Sequence, residues 1–298
     1  MNNKVGSIYV VGANGQLGSE IRAYAAQSSR ENVNFFSREE IDIGKLNEIK
    51  SKLSPGQYDV IINAAAYTDV DRAEQELEQA NEANYIGPKN LASIARESGC
   101  LLIHISTDYV FDGNLPRPYK EDDTPAPLGV YGSSKLKGEE AILEAEARAI
   151  ILRTSWVYSS FGKNFVKTIL RLARERERLS VIFEQTGSPT YAADLAQAIF
   201  EVIEKIPPEL PLPQIYNYSN EGVISWYDFA KAITELSDIP CRIDPIETKD
   251  YPLPAKRPVN SALNKNKIKR DFSLEIPYWR DSLAKCLGLI NLDNSTNE

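Results

Sequence analysis

Short apolar runs recur through the first half of the chain, each ending on a small or polar residue and each followed by a helical pattern. Ile8–Val11 is β-branched and predicts a strand; Leu17, Ile21 and Tyr24/Ala25 then share one face of a predicted helix. Asn32–Phe36, Tyr58–Asn63, Leu101–Ile105 and Ala149–Thr154 repeat the strand signal. Several of these runs are apolar at consecutive positions, which fits strands covered on both faces. Glu74–Glu97 reads as helical, interrupted at Pro88 and stopped at Gly99, and Gly132–Ala147 reads as a further helix. Strands alternating with helices five times over predict an α/β protein with a doubly wound parallel sheet.

The rhythm changes after Tyr158. Phe161-Gly162-Lys163-Asn164 leads a helix whose end, Arg171–Arg178, carries alternating charge and reads as a solvated face. Val181–Phe183 is a short strand, Tyr191–Lys205 a helix with Asp194 in its first turn, and Ile215–Tyr218 a strand. Between the last two, Ile206–Pro213 holds Pro207, Pro208, Pro211 and Pro213 and reads as an exposed connector. Ser225 caps a helix over Trp226–Leu236. Arg242–Glu247, a loop over Tyr251–Ser261 and a last helix near Trp279–Ile290 follow. The pattern divides the chain into a sheet-bearing domain, 1–157 plus about 179–220, and a smaller α/β lobe, about 158–178 and 221–290. The polar stretch 291–298 reads as a frayed tail.

Composition narrows the function without naming it. At 298 residues, with 42% hydrophobic and 26% charged residues, the chain suits a globular enzyme of more than one core. No run approaches the roughly 18 apolar residues of a membrane span, and no signal-peptide core precedes the first strand. Cys100, Cys241 and Cys286 are scattered and form no C-x-x-C pair, which fits reduced thiols in a cytoplasmic protein without structural zinc. A net charge of −8 argues against nucleic acid and anionic membrane as partners. An anionic small molecule must then be held by helix N-termini and a few placed cations. The one histidine, His104, lies inside an apolar strand and reads as a hydrogen-bonded core residue, which leaves no His for a Ser-His-Asp triad.

Two places carry candidate chemistry. Gly12-Ala13-Asn14-Gly15-Gln16-Leu17-Gly18 follows the first strand and opens the first helix. Glycine there lets the backbone turn tightly and approach a pyrophosphate, whose charge rests on free amides at the helix start. Where an acid would hold the ribose 2′-hydroxyl of NAD, this chain has Ser37-Arg38, a pair suited to a 2′-phosphate, so NADPH is favoured and NADH stays open. Asp42-Ile43 is placed to reach the adenine, and the small residues Ala64-Ala65-Ala66 before Tyr67 leave room for a ligand at the third strand's end. The second place is Ser106-Thr107-Asp108, closing the central strand, with Tyr131 and Lys135 four apart on one helix face. A Tyr-x-x-x-Lys spacing alone is common on surfaces. Beside a strand-end hydroxyl and a glycine turn it makes a proton-donating site, in which an ammonium close to the phenol lowers its pKa.

Read together and in order, the motifs resemble the extended short-chain dehydrogenase/reductases, and within them the dTDP-4-dehydrorhamnose reductase family. The resemblance runs from Gly12 to about Leu287. Its markers include Asn63-Ala64-Ala65-Ala66-Tyr67-Thr68, Val70-Asp71-x-Ala73-Glu74, Ser106-Thr107-Asp108-Tyr109-Val110-Phe111, Tyr131-Gly132-x-x-Lys135-x-x-Gly138-Glu139, Arg153-Thr154-Ser155-Trp156 and Arg257-Pro258-x-Asn260-Ser261. It implies a Rossmann-type dinucleotide domain and a lobe over a nucleotide-sugar, with hydride passing to the 4-keto carbon of dTDP-4-dehydro-L-rhamnose. By the same resemblance Tyr131 is the general acid, Lys135 orients the nicotinamide ribose and lowers the Tyr131 pKa, and Thr107 bonds the reacting oxygen. The dinucleotide falls to Gly12, Asn14, Gly15, Gln16, Leu17, Arg38, Asp42, Ile43, Ala64, Ala65, Ala66 and Tyr67, with Tyr131 and Lys135. The sugar falls to Val70, Asp108, Tyr109 and Trp156, and the diphosphate to Arg257 and Asn260.

Some members of this family are dimers bridged by Mg²⁺ on carboxylates. Here Glu20 and Asp194 match two of the acids while the third is replaced near Leu289, so both read as surface residues and no metal site is assigned. Monomer and homodimer both stay open. So do two other functions on this scaffold: a sugar-nucleotide epimerase or dehydratase, and a non-catalytic dinucleotide-binding subunit. The absence of an Asp-Glu pair after Thr107 speaks against a dehydratase.

Overall fold

A computed structural model describes residues 6–53 and 56–295. β1 (Ile8–Val11) leads through the glycine turn into α1 (Gln16–Gln27), and β2 (Val33–Phe36), α2 (Leu46–Lys52) and β3 (Val60–Asn63) follow. A short α3 (Val70–Ala73) precedes the helix expected over Glu74–Glu97, which starts later than expected, at α4 (Leu77–Asn81), and runs on without a gap through a π-helical turn over Glu82–Ile86 into α5 (Gly87–Ser98). Pro88 follows directly on the π-helical turn as the second residue of α5, and Gly99 ends α5 at φ +74°. β4 (Leu101–Thr107), α6 (Val130–Glu144) and β5 (Ala149–Thr154) complete the first half.

Smaller pieces alternate in the second half: β6 (Val157–Tyr158), α7 (Phe165–Glu175), β7 (Arg178–Ile182), β8 (Thr186–Gly187), β9 (Thr190–Tyr191) and α8 (Ala192–Lys205). They are followed by β10 (Gln214–Asn217), β11 (Ile224–Ser225), α9 (Trp226–Leu236), β12 (Arg242–Ile246), α10 (Asn266–Phe272) and α11 (Trp279–Ser295). The last helix runs five residues past Ile290, through part of the stretch read as a frayed tail; 296–298 lie outside the described residues. The proline-rich connector is also less exposed than its composition implies, because Ile206, Leu210 and Leu212 pack on the core.

Six strands form one parallel sheet in the order β10-β5-β4-β3-β1-β2. Alternate residues of each strand feed opposite layers, which is why the runs read as continuously apolar. Ile8, Val10, Ile62, Ile103 and Leu152 meet Leu17 and Ile21 of α1 and Leu195 and Ile199 of α8. Val11, Ile61, Leu102 and Ile151 meet Ile49 of α2, Leu91 of α5 and Ile142 of α6 on the other face. A further core gathers α7, β7, α9 and α11 around Leu170, Phe229 and Leu283. β7 pairs with β12 there and not with the main sheet, so the division expected near residue 179 does not follow the strand pairing. Among the described residues no helix is long and apolar enough to cross a membrane.

Candidate active site

The chain leaves β1 for β2 on one side and returns to β3 on the other, so the carboxyl ends of β1 and β3 open a crevice at the switch point. Gly12 stands there at φ +79°, and a Cβ on it would lie 2.4 Å from the Ala65 amide nitrogen. Only glycine fits so close to the next strand's exit. Gly15, the residue before α1, offers no side chain to the helix amides, and no acid occupies the first turn. Those amides are therefore open to an anion. A hollow of about 250 Å³ beside them is lined by Gly12, Asn14, Gly15, Arg38, Asp42 and Ile43, with Ala64, Ala65, Ala66 and Tyr67 opposite. These ten expected cofactor residues, drawn from the three loops after β1, β2 and β3, thus come together. Gln16 and Leu17 do not line the hollow: the Gln16 side chain accepts from Asn164 at 2.9 Å and Leu17 is packed in the core.

β4 ends on the second cluster. The phenol of Tyr131 lies beside the Thr107 hydroxyl, which donates to Asp108 Oδ1 at 3.0 Å and accepts the Tyr109 amide at 3.2 Å. Lys135, one helical turn further, is buried and its Nζ donates to the Ile105 carbonyl at 2.6 Å. The expected electrostatics are corrected here. Burial pushes Tyr131 up to about 12, and Thr107, not Lys135, is the neighbour that opposes the rise. Lys135 is itself pushed down to about 8 by burial, with Glu139 holding it up. Removing water from the phenol raises the cost of phenolate, so Tyr131 is held in the protonated form, as a proton donor needs to be. Asp108, buried beside Thr107, is raised to about 7 for the same reason.

The edge of the Tyr109 ring meets Tyr131 with centroids 5.7 Å apart, and Tyr109 opens onto a larger cavity of about 690 Å³. That volume lies within the roughly 300–1,000 Å³ usual for small-molecule sites. Arg257 lines it along with Tyr109 and is paired with Asp71 at 2.7 Å, while Phe165 and Trp226 supply aromatic walls. Trp156 stacks on Trp226 at 3.5 Å and 9° between planes, from a backbone held at φ +49°. A bulky residue in that region is strained, which ties its position to the site and not to local preference. Val70 begins α3, the helix that carries Asp71. Asn260 is not brought to the cavity: its amide donates to the Leu115 and Arg117 carbonyls at 2.8 and 3.1 Å, and its oxygen accepts from Ala262. Its expected place at the diphosphate is therefore corrected to a scaffold role.

The chain matches the family described as "RmlD substrate binding domain" over residues 6–291. It belongs to the RmlD family. It is 41% identical to the dTDP-4-dehydrorhamnose reductase of Aggregatibacter actinomycetemcomitans over 284 residues, which cover 93% of this chain and 96% of that one. Identity to the dTDP-4-dehydrorhamnose reductase of Sinorhizobium fredii is 38%, covering 95% and 97%. A crystal structure of dTDP-4-dehydrorhamnose reductase from Bacillus anthracis in complex with NADP superposes with a TM-score of 0.89 at 36% identity, covering 95% of this chain and 99% of that chain. The chain is thus an oxidoreductase of α/β, Rossmann-like fold.

Other parts of this RmlD-family chain differ from the sequence reading. Glu20, expected at the surface, is buried; it accepts from Ser159 at 2.6 Å, and desolvation raises its carboxyl. Asp194 accepts from Asn220 and Ser282. Among the described residues no group of three or more His, Cys, Asp or Glu side chains is placed to hold a metal ion. The sequence reading gave no role to the buried pair Glu139–Arg153, whose side chains are 1% and 2% exposed. It lies beneath the site and ties α6 to β5 at 2.6 Å, with Ser106 donating to Glu139 from β4. The spacing Lys135-x-x-x-Glu139 was a usable signal for it, since it places the acid one turn below the lysine. His104 bonds Asn63 at 3.0 Å, and the Asn63 oxygen accepts the Ala65 amide at 3.1 Å, so a core pair steadies the cofactor crevice.

Proposed function

We propose that this chain reduces the 4-keto group of dTDP-4-dehydro-L-rhamnose with NADPH, giving dTDP-L-rhamnose. The observation that carries the reading is the placement of Tyr131 and Lys135 one turn apart on α6, against the Thr107 end of β4, where burial keeps the phenol protonated. A dinucleotide fits the first crevice because the glycine turn brings backbone close to it and α1 opens with neither a side-chain cap nor an acid in its first turn. Bound there, the reduced nicotinamide supplies the hydride for the 4-keto carbon. Tyr131 then gives its proton to the carbonyl oxygen, whose alkoxide is a stronger base than a phenolate. Thr107 steadies that oxygen, Lys135 holds the nicotinamide ribose, and Asp108, Tyr109, Val70 and Trp156 fit the sugar. Arg257 offers its guanidinium to the diphosphate, while the apolar cavity wall takes the nucleoside. We place the sheet-bearing domain at the dinucleotide, the smaller lobe over the sugar nucleotide, and the reaction in the cytoplasm.

The direct test follows NADPH absorbance with the 4-keto sugar nucleotide as substrate. Consumption matched by dTDP-L-rhamnose formation is expected. A net-neutral interconversion marks an epimerase, binding without turnover marks a regulatory subunit, and either overturns the reading.

Two further outcomes follow from the site. Arg38 lines the crevice where a 2′-phosphate would lie, so Arg38→Ala should weaken NADPH roughly tenfold and leave NADH little changed, as measured by fluorescence titration. Lys135 is lowered from 10.5 to about 8, so its ammonium is present below that pH and lost above it. Dinucleotide affinity should therefore fall as pH rises through about 8, a dependence that Lys135→Met should flatten.

A further inference from the structure

The motif Val70-Asp71-x-Ala73-Glu74 contains two acids that the proposed chemistry does not use directly. Asp71 pairs with Arg257 and accepts the Ala255 amide at 3.2 Å, fastening the loop that lines the large cavity. Glu74, three residues on, turns the other way along the chain. Its Oε1 accepts the Val130 amide at 2.8 Å, the first N–H of α6 and the residue directly before Tyr131.

This contact fills a need written into α6. Gly129 precedes the helix and has no side chain with which to cap it, and no acid lies in the first turn. A carboxylate from elsewhere satisfies the orphan amide and complements the positive end of the helix. Gly129 is in turn shaped for that carboxylate. Its backbone, φ −147° and ψ 179°, is extended and open to any residue, yet a Cβ there would lie 2.6 Å from Glu74 Oε1. A side chain here would displace the acid from the Val130 amide, whereas the turn itself would accept one. On its other side the helix rests on β4's exit, where a Cβ on Gly132 would lie 2.2 Å from the Tyr109 carbonyl oxygen. The turn that carries Tyr131 is thus held from both sides.

We propose that Glu74 is a positioning residue for Tyr131, setting the first turn of α6 from the same short segment whose Asp71 fastens Arg257. The segment thereby links the grip on the substrate's anionic end to the placement of the proton donor. This deepens the reductase reading and rests on Tyr131 as the acid.

The test compares Glu74→Ala, Glu74→Gln and Gly129→Ala in the full chain, with kcat, KM, NADPH affinity and melting temperature measured for each. Glu74→Ala should lower kcat about 10- to 100-fold, the range a small misplacement of a reacting group causes, with NADPH affinity unchanged. Glu74→Gln, which keeps the acceptor oxygen, should restore most of it. Gly129→Ala should lower kcat in the wild-type background but cost nothing further beside Glu74→Ala, because the atom it strikes is gone. A merely structural role would lower the melting temperature and leave kcat per folded molecule untouched, which overturns the proposal. Equal damage from Gln and Ala also overturns it, and Gly129→Ala supplies the answer if Glu74→Ala does not fold. Activity surviving in Tyr131→Phe would instead sink the reading of Tyr131 itself.

Discussion

Tyr131→Phe should cost on the order of 10²-fold or more in turnover and leave NADPH binding as it was. The variant removes one oxygen from a ring whose edge contact with Tyr109 persists, so the local packing survives. What disappears is the proton held ready at the substrate oxygen, because burial keeps that phenol at about 12 and so protonated across the neutral range. The dinucleotide crevice is built from other segments, β1 and β3 exits and the Arg38 loop, and loses nothing but a ribose neighbour. Steady-state kinetics with a parallel NADPH titration check both halves. Near-wild-type kcat in the variant would remove Tyr131 from the role of acid.

Glu139→Ala should have the largest effect on stability, about 3–5 kcal/mol, because it strands a buried cation. Arg153 donates Nε and Nη2 to Glu139 and Nη1 to the Glu121 carbonyl, and its guanidinium lies 5.0 Å from the Phe111 ring centre. Only the carboxylate cancels the charge. Denaturant unfolding measures the loss, and the paired replacement Glu139→Leu with Arg153→Met should recover much of it, since neither partner is then left alone. The same acid holds the Lys135 ammonium up, so the milder Glu139→Gln should move the affinity change described above to lower pH. A stability loss below about 1 kcal/mol in Glu139→Ala would mean that water reaches Arg153 and the pair is in effect a surface one.

The sheet was legible because burial on both faces writes itself into consecutive apolar residues, and the six parallel strands fall where such runs lie. Ends were less so. The helix expected over Glu74–Glu97 starts late and carries a π-helical turn because residues there answer to partners elsewhere: Glu74 to the Val130 amide, Asn84 to the Tyr67 backbone and Ser134. Periodicity records only which face is apolar, so it cannot register such tethers. Glu20 was misplaced for a related reason. An acid in an amphipathic helix reads as exposed, and only the approach of Ser159 from 139 residues away allows its burial.

What the sequence determined by itself is the local chemistry: glycines where backbone must approach a ligand, a hydroxyl at a strand end, and a phenol and an amine one helical turn apart. These depend on residues near one another in the chain, and short-range geometry is set by short-range spacing. The tertiary structure alone decided the electrostatics. Whether Lys135 or burial governs Tyr131, whether Asn260 faces the cavity or the scaffold, and which acid holds the Tyr131 turn all depend on what packs against each group. Desolvation and hydrogen bonding are properties of the folded neighbourhood, and that neighbourhood is assembled from segments far apart in the chain.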